Sequence, residues 1–150
     1  MHESGKGIGH EAIHPSASLQ ASVVEAAHKH NLLTVAHATS LQDTITVLEA
    51  GVDGLAHTFF DEPITAQVIE KYRTNKAFCI PTLTIIGSLT GEGQQLAIDL
   101  ANDKRASDLL GEQEKQELRD CLNLAAPTSK VAYAYDSVRQ LKAAGIDILW

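Results

Sequence analysis

The chain has 150 residues, and 12 Lys and Arg against 19 Asp and Glu give it a formal net charge of −7. Hydrophobic residues make up 44% of the chain and charged residues 21%, which is typical of one ordinary globular domain and excludes a disordered chain. The acidic balance, without a cluster of basic residues, excludes a nucleic-acid surface, and the longest apolar runs fall far below the ~20 residues of a membrane-spanning helix.

The compartment is indicated by the N-terminus and the cysteines. The first residues lack an apolar segment behind a basic start, so secretion is not indicated. Cys79 and Cys121 have no metal-type spacing and are interpreted as reduced thiols. We therefore expect a cytoplasmic protein.

The first regular unit of the chain follows a loop predicted over residues 1–17. Apolar residues at helical spacing predict a helix over 18–30, with Ser16 or Ser18 as its cap and Asn31 closing its end in the left-handed conformation. The nearly continuous apolar run at 32–37 predicts a strand buried on both faces, with His37 at its C-terminal end.

The second unit repeats the design. A capping-box pattern at 40–43 predicts a helix over 41–50 that ends at Gly51. The next apolar run, 52–57, predicts a second strand, which again has a histidine, His57, as its last residue. The two units match in order and in how they end.

The rest of the chain continues the alternation with one interruption. A third helix, with Pro63 in its first turn and a stripe from Ile64 to Tyr72, leads to a strand predicted over 77–83. The charged segment 88–126 predicts two or three inserted helices. A last helix, opened by Thr128 or Ser129, ends at Gly145 and leads into a fourth strand at 146–150.

Strands that alternate with helices predict an α/β fold of βαβ units around a parallel sheet. Segments 48–53 and 142–147 are near copies at helix-to-strand junctions, a weak internal repeat. Ligand sites in parallel sheets lie at the C-terminal ends of the strands, so both strand-end histidines fall on the functional edge.

His37 and His57 are the candidate metal ligands. They occupy the same position in consecutive units, and neutral imidazole is a common zinc ligand, so neighbouring strands would bring together two ligands on rigid elements. The alternative is a pair of structural histidines that hydrogen-bond to loops, in a small α/β binding or interaction domain.

Residues 10–14 offer another metal hypothesis. His10, Glu11 and His14 fit the H-E-x-x-H pattern of a zincin-type peptidase, in which two histidines on a helix bind zinc and the glutamate acts as base. Gly9 before the motif and Pro15 directly after it disfavour that helix. The H-x-H pair at 28–30 lies in a predicted helix, where its side chains point apart.

Three segments together resemble a known family. AHKHNLLTVAHA (27–38), AGVDGLAH (50–57) and IPTL (80–83) resemble strands five, six and seven of the amidohydrolase superfamily, in its imidazolonepropionase-like and prolidase-like branch. The resemblance implies a (β/α)₈ barrel with one or two divalent metal ions, with zinc favoured by the imidazole ligands. It also implies hydrolysis of a C–N bond in a small molecule, for which N-acyl and Xaa-Pro compounds are the candidate substrates. It also implies that His37 and His57 are the metal ligands of strands five and six.

Other elements of that family have no counterpart here. The H-x-H of its first strand is absent, its carboxylated lysine would fall before Met1, with Lys6 a poor substitute, and its acid/base aspartate would follow Trp150. Residues 1–150 are therefore expected to form a partial barrel domain, strands five to seven and the start of strand eight. No catalytic residue is expected within the chain, which by itself would be impaired and would associate through exposed barrel edges or as a homo-oligomer.

Overall fold

The computed structural model describes residues 4–150, apart from the side chains of residues 106 and 107. Its three named strands are β1 (Val35–His37), β2 (Gly54–Ala56) and β3 (Phe78–Ile80). The helices are α1 (Ala17–Lys29), α2 (Leu41–Glu49), α3 (Ala66–Asn75), α4 (Leu83–Thr90), α5 (Gln94–Asn102), α6 (Lys104–Ser107), α7 (Glu112–Arg119) and α8 (Val131–Ala143). The α/β class is confirmed, and the arrangement is consistent with a fragment of a barrel. The predicted loop is observed over residues 4–16, while residues 1–3 lie outside the description.

The three strands form a parallel sheet in the order β1-β2-β3. Val35 pairs with Gly54, and Gly54 pairs with Phe78. The predicted fourth strand begins beside β3 as a single parallel bridge between Cys79 and Ile148. The Cys79 N–H donates to the Asp147 carbonyl at 2.9 Å, which extends the parallel arrangement to a fourth segment.

One face of the sheet carries the core. Ala36, Leu55 and Cys79 form one register row and are buried against the helices, in a cluster that also contains Tyr72 of α3 and Leu141 of α8. A row of this kind requires the neighbouring residues of each strand to project to the opposite face. The fold thus has a helix-covered face and a second face that bears His37.

The first strand differs from its prediction. Leu32 and Leu33 lie outside β1 and are 60% and 75% exposed, and Val35 is 49% exposed. A strand buried on both faces was therefore the wrong expectation for this segment. These residues are exposed because β1 is the edge strand of the described sheet and only its Ala36 faces the core.

Local signals place the first two helices correctly. The Ser16 hydroxyl accepts from the Leu19 N–H and starts α1, and Asn31, with φ 56°, follows its end in the left-handed conformation. The Ser40 hydroxyl accepts from the Asp43 N–H at 3.1 Å. The carboxylate of Asp43 in turn accepts from the N–H and the hydroxyl of Ser4, so the start of α2 anchors the N-terminal loop.

The internal repeat corresponds to one repeated turn. Gly51 and Gly145 have φ of 90° and 81°, a left-handed conformation that glycine adopts without steric cost. After each glycine the chain folds back by the same hydrogen bond, from Val52 N–H to the Val47 carbonyl and from the Ile146 N–H to the Leu141 carbonyl. The near-copy segments therefore make equivalent entries into the sheet.

Several element boundaries differ from the prediction. Pro63 and Ile64 precede α3, whose N-cap is Thr65. Strand three ends at Ile80, because Pro81 has no N–H for the ladder, and Leu83 instead begins α4, so the inserted helices start before residue 88.

The start of the last helix is also different. Its N-cap is Lys130, without a side-chain cap, rather than Thr128 or Ser129. The Ser129 hydroxyl donates to the Gly7 carbonyl at 3.0 Å, so it is used to hold the N-terminal loop against the start of α8.

No helix in the part of the chain that the structure describes is long and apolar enough to cross a membrane. The two cysteines are not joined to each other, with Cys79 buried and Cys121 partly buried.

Candidate metal centre

The two strand-end histidines meet, although the register alone would separate them. His37 pairs with Ala56, so His57 lies one residue beyond its partner position. Because successive residues of a strand project to opposite faces, a continued strand would turn His57 away from His37. His57 instead has φ 75°, a conformation outside the extended region. The ring centroids of His37 and His57 are 4.6 Å apart, with an interplanar angle of 84°.

A third strand end contributes Thr82, which sequence reasoning missed. Its hydroxyl shares a hydrogen bond with Nδ1 of His57. Thr82 follows β3 by two residues and has φ 50°, so it is also left-handed. The position of Thr82 in the sequence could have identified it. It is a polar residue directly after a strand and its proline, as the two histidines are polar residues at the ends of the first two strands.

His37 and His57 line a cavity of about 200 Å³. His37, Thr39 and His57 form its polar side. The rest of its wall is apolar and consists of Ile8, Phe60, Ile85, Ile86 and Leu89. Three of these apolar residues come from α4, which begins at Leu83 directly after Thr82, so the turn at Thr82 determines where this wall stands.

The donor set fits part of a metal site. Two imidazoles on adjacent rigid strands suit a zinc ion, for which catalytic sites use three protein ligands and one open position. Among residues 4–150 there is no group of three or more His, Cys, Asp and Glu side chains arranged to hold a metal. The described residues therefore offer at most two ligands, His37 and His57.

A carboxylate lies in the loop after β2 and has a structural partner. Asp61 accepts the Leu41 N–H at 2.8 Å, at the first turn of α2. Burial raises the pKa of Asp61, and the hydrogen bond from Leu41 opposes this effect. An acidic side chain at a helix N-terminus is favourable because the helix dipole is positive there.

The zincin motif does not have the geometry that its chemistry needs. Residues 11–16 have no regular secondary structure, so His10 and His14 are not one turn apart on a helix. The reason is the proline after His14, as the sequence indicated.

The H-x-H residues lie elsewhere. His28 donates from Nε2 to Asp53 at 2.8 Å, beside the N-terminal end of β2 and thus at the sheet edge opposite His57. His30 is the C-cap of α1. His28 and His30 therefore do not form a metal site with His37 or His57.

The chain is similar to known proteins in its fold and not in its overall sequence. No family model and no curated protein matches the sequence. Among solved structures, the chain is similar to ochratoxinase from A. niger, with a TM-score of 0.59 and 14% identity over 97% of this chain and 29% of that one. It is also similar to a Xaa-Pro dipeptidase with methionine bound in the active site, with a TM-score of 0.55 and 14% identity over 90% of this chain and 28% of that one.

A prolidase complexed with N-methylphosphonate-L-proline gives a similar result. Its TM-score is 0.55 and its identity 16%, over 97% of this chain and 31% of that one. The chain thus spans less than a third of the length of these structures. The chain has the fold of a part of these structures, in agreement with the fold that the sequence resemblance implies.

Proposed function

We propose that this chain is the part of a metal-dependent hydrolase that supplies two metal ligands, and that the whole protein cleaves a C–N bond in a small molecule. The observation that supports this most is the contact between the rings of His37 and His57 at the C-terminal ends of adjacent parallel strands. We assign β1, β2, β3 and the segment at Ile148 to strands five, six, seven and eight of an amidohydrolase-type barrel.

In this proposal His37 and His57 hold a divalent ion, with zinc favoured by the imidazole ligands. When bound, such an ion polarises a substrate carbonyl and lowers the pKa of a water molecule. The chain's own contribution is positional. The end of β1 positions the His37 ring and the left-handed turn after β2 positions the His57 ring. The apolar wall formed by Phe60, Ile86 and Leu89 reduces the access of bulk water to them.

The cavity also bears on the substrate. Its described lining contains no lysine, arginine, aspartate or glutamate. A charged group in contact with its apolar wall would lose hydration without gaining a partner there, which is costly. We therefore propose that the substrate group that packs against this apolar wall is uncharged and apolar. An N-acyl amino acid with an apolar side chain, or an Xaa-Pro dipeptide with an apolar first residue, would satisfy this condition.

The chain itself is assigned no general acid or base. By resemblance that group is an aspartate on strand eight of the family's barrel, and the remaining metal ligands lie on other strands of that barrel. We accordingly expect the isolated 150 residues to bind metal weakly and to be catalytically impaired.

The test is zinc binding by the chain, measured in competition with a chromophoric chelator. Wild type should bind zinc, whereas His37→Ala and His57→Ala should each lose most of the affinity, because each removes one of two ligands. His30→Ala, at the exposed end of α1, is the matched control and should bind as wild type does. Equal binding by wild type and the two site variants would overturn the proposal.

The second candidate is a small binding or interaction domain in which the histidines are structural. The exposed apolar residues Leu32, Leu33 and Val35 along the edge of β1 favour it, since an open strand edge can pair with another chain. Such a domain could also form a homo-oligomer through that edge. It predicts that His37→Ala lowers the free energy of unfolding and that zinc adds no stability to wild type.

A further inference from the structure

Thr82 occupies a backbone conformation that a threonine does not favour. Its φ of 50° and ψ of 45° are left-handed, and it connects β3 to α4 with Pro81 before it. For a β-branched residue this region is a steric outlier, whereas glycine would adopt it freely. The backbone turn alone therefore does not explain why a threonine side chain stands here.

The hydroxyl of Thr82 is not used as an N-cap hydroxyl normally is. Ser16 and Ser40 are the N-caps of α1 and α2, and each accepts from a backbone N–H of its own helix. Thr82 is the N-cap of α4, yet α4 has no side-chain cap hydrogen bond. The Thr82 hydroxyl instead contacts Nδ1 of His57, so its hydrogen-bonding capacity serves the candidate metal centre.

His57 needs such a partner because its own orientation is unusual. Its left-handed φ of 75° brings the ring against His37, and its N–H donates to the Ile80 carbonyl, two residues before Thr82. The strand ends that carry these two left-handed residues are thus joined by a backbone hydrogen bond from His57 to Ile80 and a side-chain hydrogen bond between His57 and Thr82. A partner at Nδ1 orients an imidazole and assigns the role of metal ligand to Nε2.

We propose that Thr82 is a positioning residue for His57, whose hydroxyl holds Nδ1, keeps the ring against His37 and makes Nε2 the nitrogen that binds the metal. This inference rests on the proposed function of the histidine pair. It concerns a residue that touches neither metal nor substrate and acts through His57.

The test compares Thr82→Val, Thr82→Ser and Thr84→Val in the full chain. Valine keeps the branched shape and hence the backbone strain of threonine but removes the hydroxyl, whereas serine keeps the hydroxyl. Thr84→Val makes the same chemical change two residues along, at an exposed position of α4. Removal of a partner of a metal-bound histidine typically weakens metal affinity by about 10-fold or more, so Thr82→Val should show a loss of about that size in zinc competition. Thr82→Ser and Thr84→Val should retain wild-type affinity.

A second measurement does not depend on zinc. The ¹⁵N shifts of the His57 ring in metal-free protein, at one pH well above the ordinary histidine pKa, report which nitrogen carries the proton. Wild type and Thr82→Ser should show the proton on Nδ1, and Thr82→Val should show a mixture of tautomers with an unchanged melting temperature. A merely structural threonine would alter the melting temperature and leave the tautomer as it was.

The outcomes separate the two proposals. If the histidine variants lose zinc but Thr82→Val binds it like wild type, the positioning role is wrong and the proposed function stands. If wild type binds no zinc, the proposed function fails, and the metal role of Thr82 fails with it. Unchanged His57 ring shifts in Thr82→Val overturn the positioning role whatever the zinc result.

Discussion

Gly54 is a residue of β2 at which even one added methyl group should destabilise the chain. A Cβ added to Gly54 would lie 2.4 Å from two carbons of the Phe78 ring and 2.8 Å from a third. Ordinary contact begins near 3.4 Å, so the ring would have to retreat by about 1 Å, or 3.4 − 2.4. Phe78 is the register partner of Gly54 on β3, and this pairing limits how the two backbones can separate.

Overpacking of this kind costs about 1–3 kcal/mol, and we take about 2 kcal/mol for Gly54→Ala because Phe78 is only partly buried. For a chain of this length that corresponds to a fall in melting temperature of about 4–8 °C. Removal of the Phe78 ring should reverse the sign of the effect of Gly54→Ala on the free energy of unfolding. Gly54 is not in the left-handed region, so in a Phe78→Ala background alanine should stabilise by about 0.5 kcal/mol through the unfolded state.

The assay is urea unfolding of the four proteins of this double-mutant cycle, followed by far-ultraviolet circular dichroism. The expected coupling energy between positions 54 and 78 is about 2.5 kcal/mol, and the slope against urea should not change. If Gly54→Ala destabilises the chain equally with and without the Phe78 ring, then steric contact with that ring is not the cause and the reasoning is refuted.

Two further predictions concern titratable groups. Burial raises the pKa of Asp53, but hydrogen bonds from His28 and Thr34 outweigh it, and the pKa lies below its ordinary 3.8. A lowered carboxyl pKa contributes stability above the unfolded-state value that is lost as the pH falls below it. Asp53→Asn should therefore lower the free energy of unfolding by about 1–2 kcal/mol at neutral pH, and this deficit should shrink below about pH 4. Asp108→Asn, at an exposed position, is the control and should leave the free energy of unfolding unchanged over the same pH range. A deficit for Asp53→Asn that is constant with pH would contradict the prediction. Burial also raises the pKa of the Cys79 thiol to about 11. A thiol reagent should thus modify only Cys121 in the native chain and both cysteines in urea. Rapid modification of Cys79 in the native Cys121→Ser variant would contradict this prediction.

The local parts of the fold could be predicted because their causes lie within a few residues. Ser16, Ser40 and Asn31 act on the helix that they adjoin, and Gly145 ends α8 where it was expected to. The alternation of strands and helices was equally clear from the spacing of apolar residues. The extra length given to the first strand was an error of context, since Leu32 and Leu33 are apolar in sequence but lie at an exposed edge.

The candidate site could be predicted only in part. The sequence by itself determined that His37 and His57 end consecutive strands, because a parallel βαβ order places both C-terminal ends at one edge. Only the tertiary structure decided that their rings touch. The register offsets the two residues by one, and contact depends on the left-handed turn at His57 and on the hydroxyl of Thr82, 25 residues further along the chain. Such a turn is unfavourable within its own segment, so it depends on hydrogen bonds from other strand ends, which appear only when the sheet is assembled.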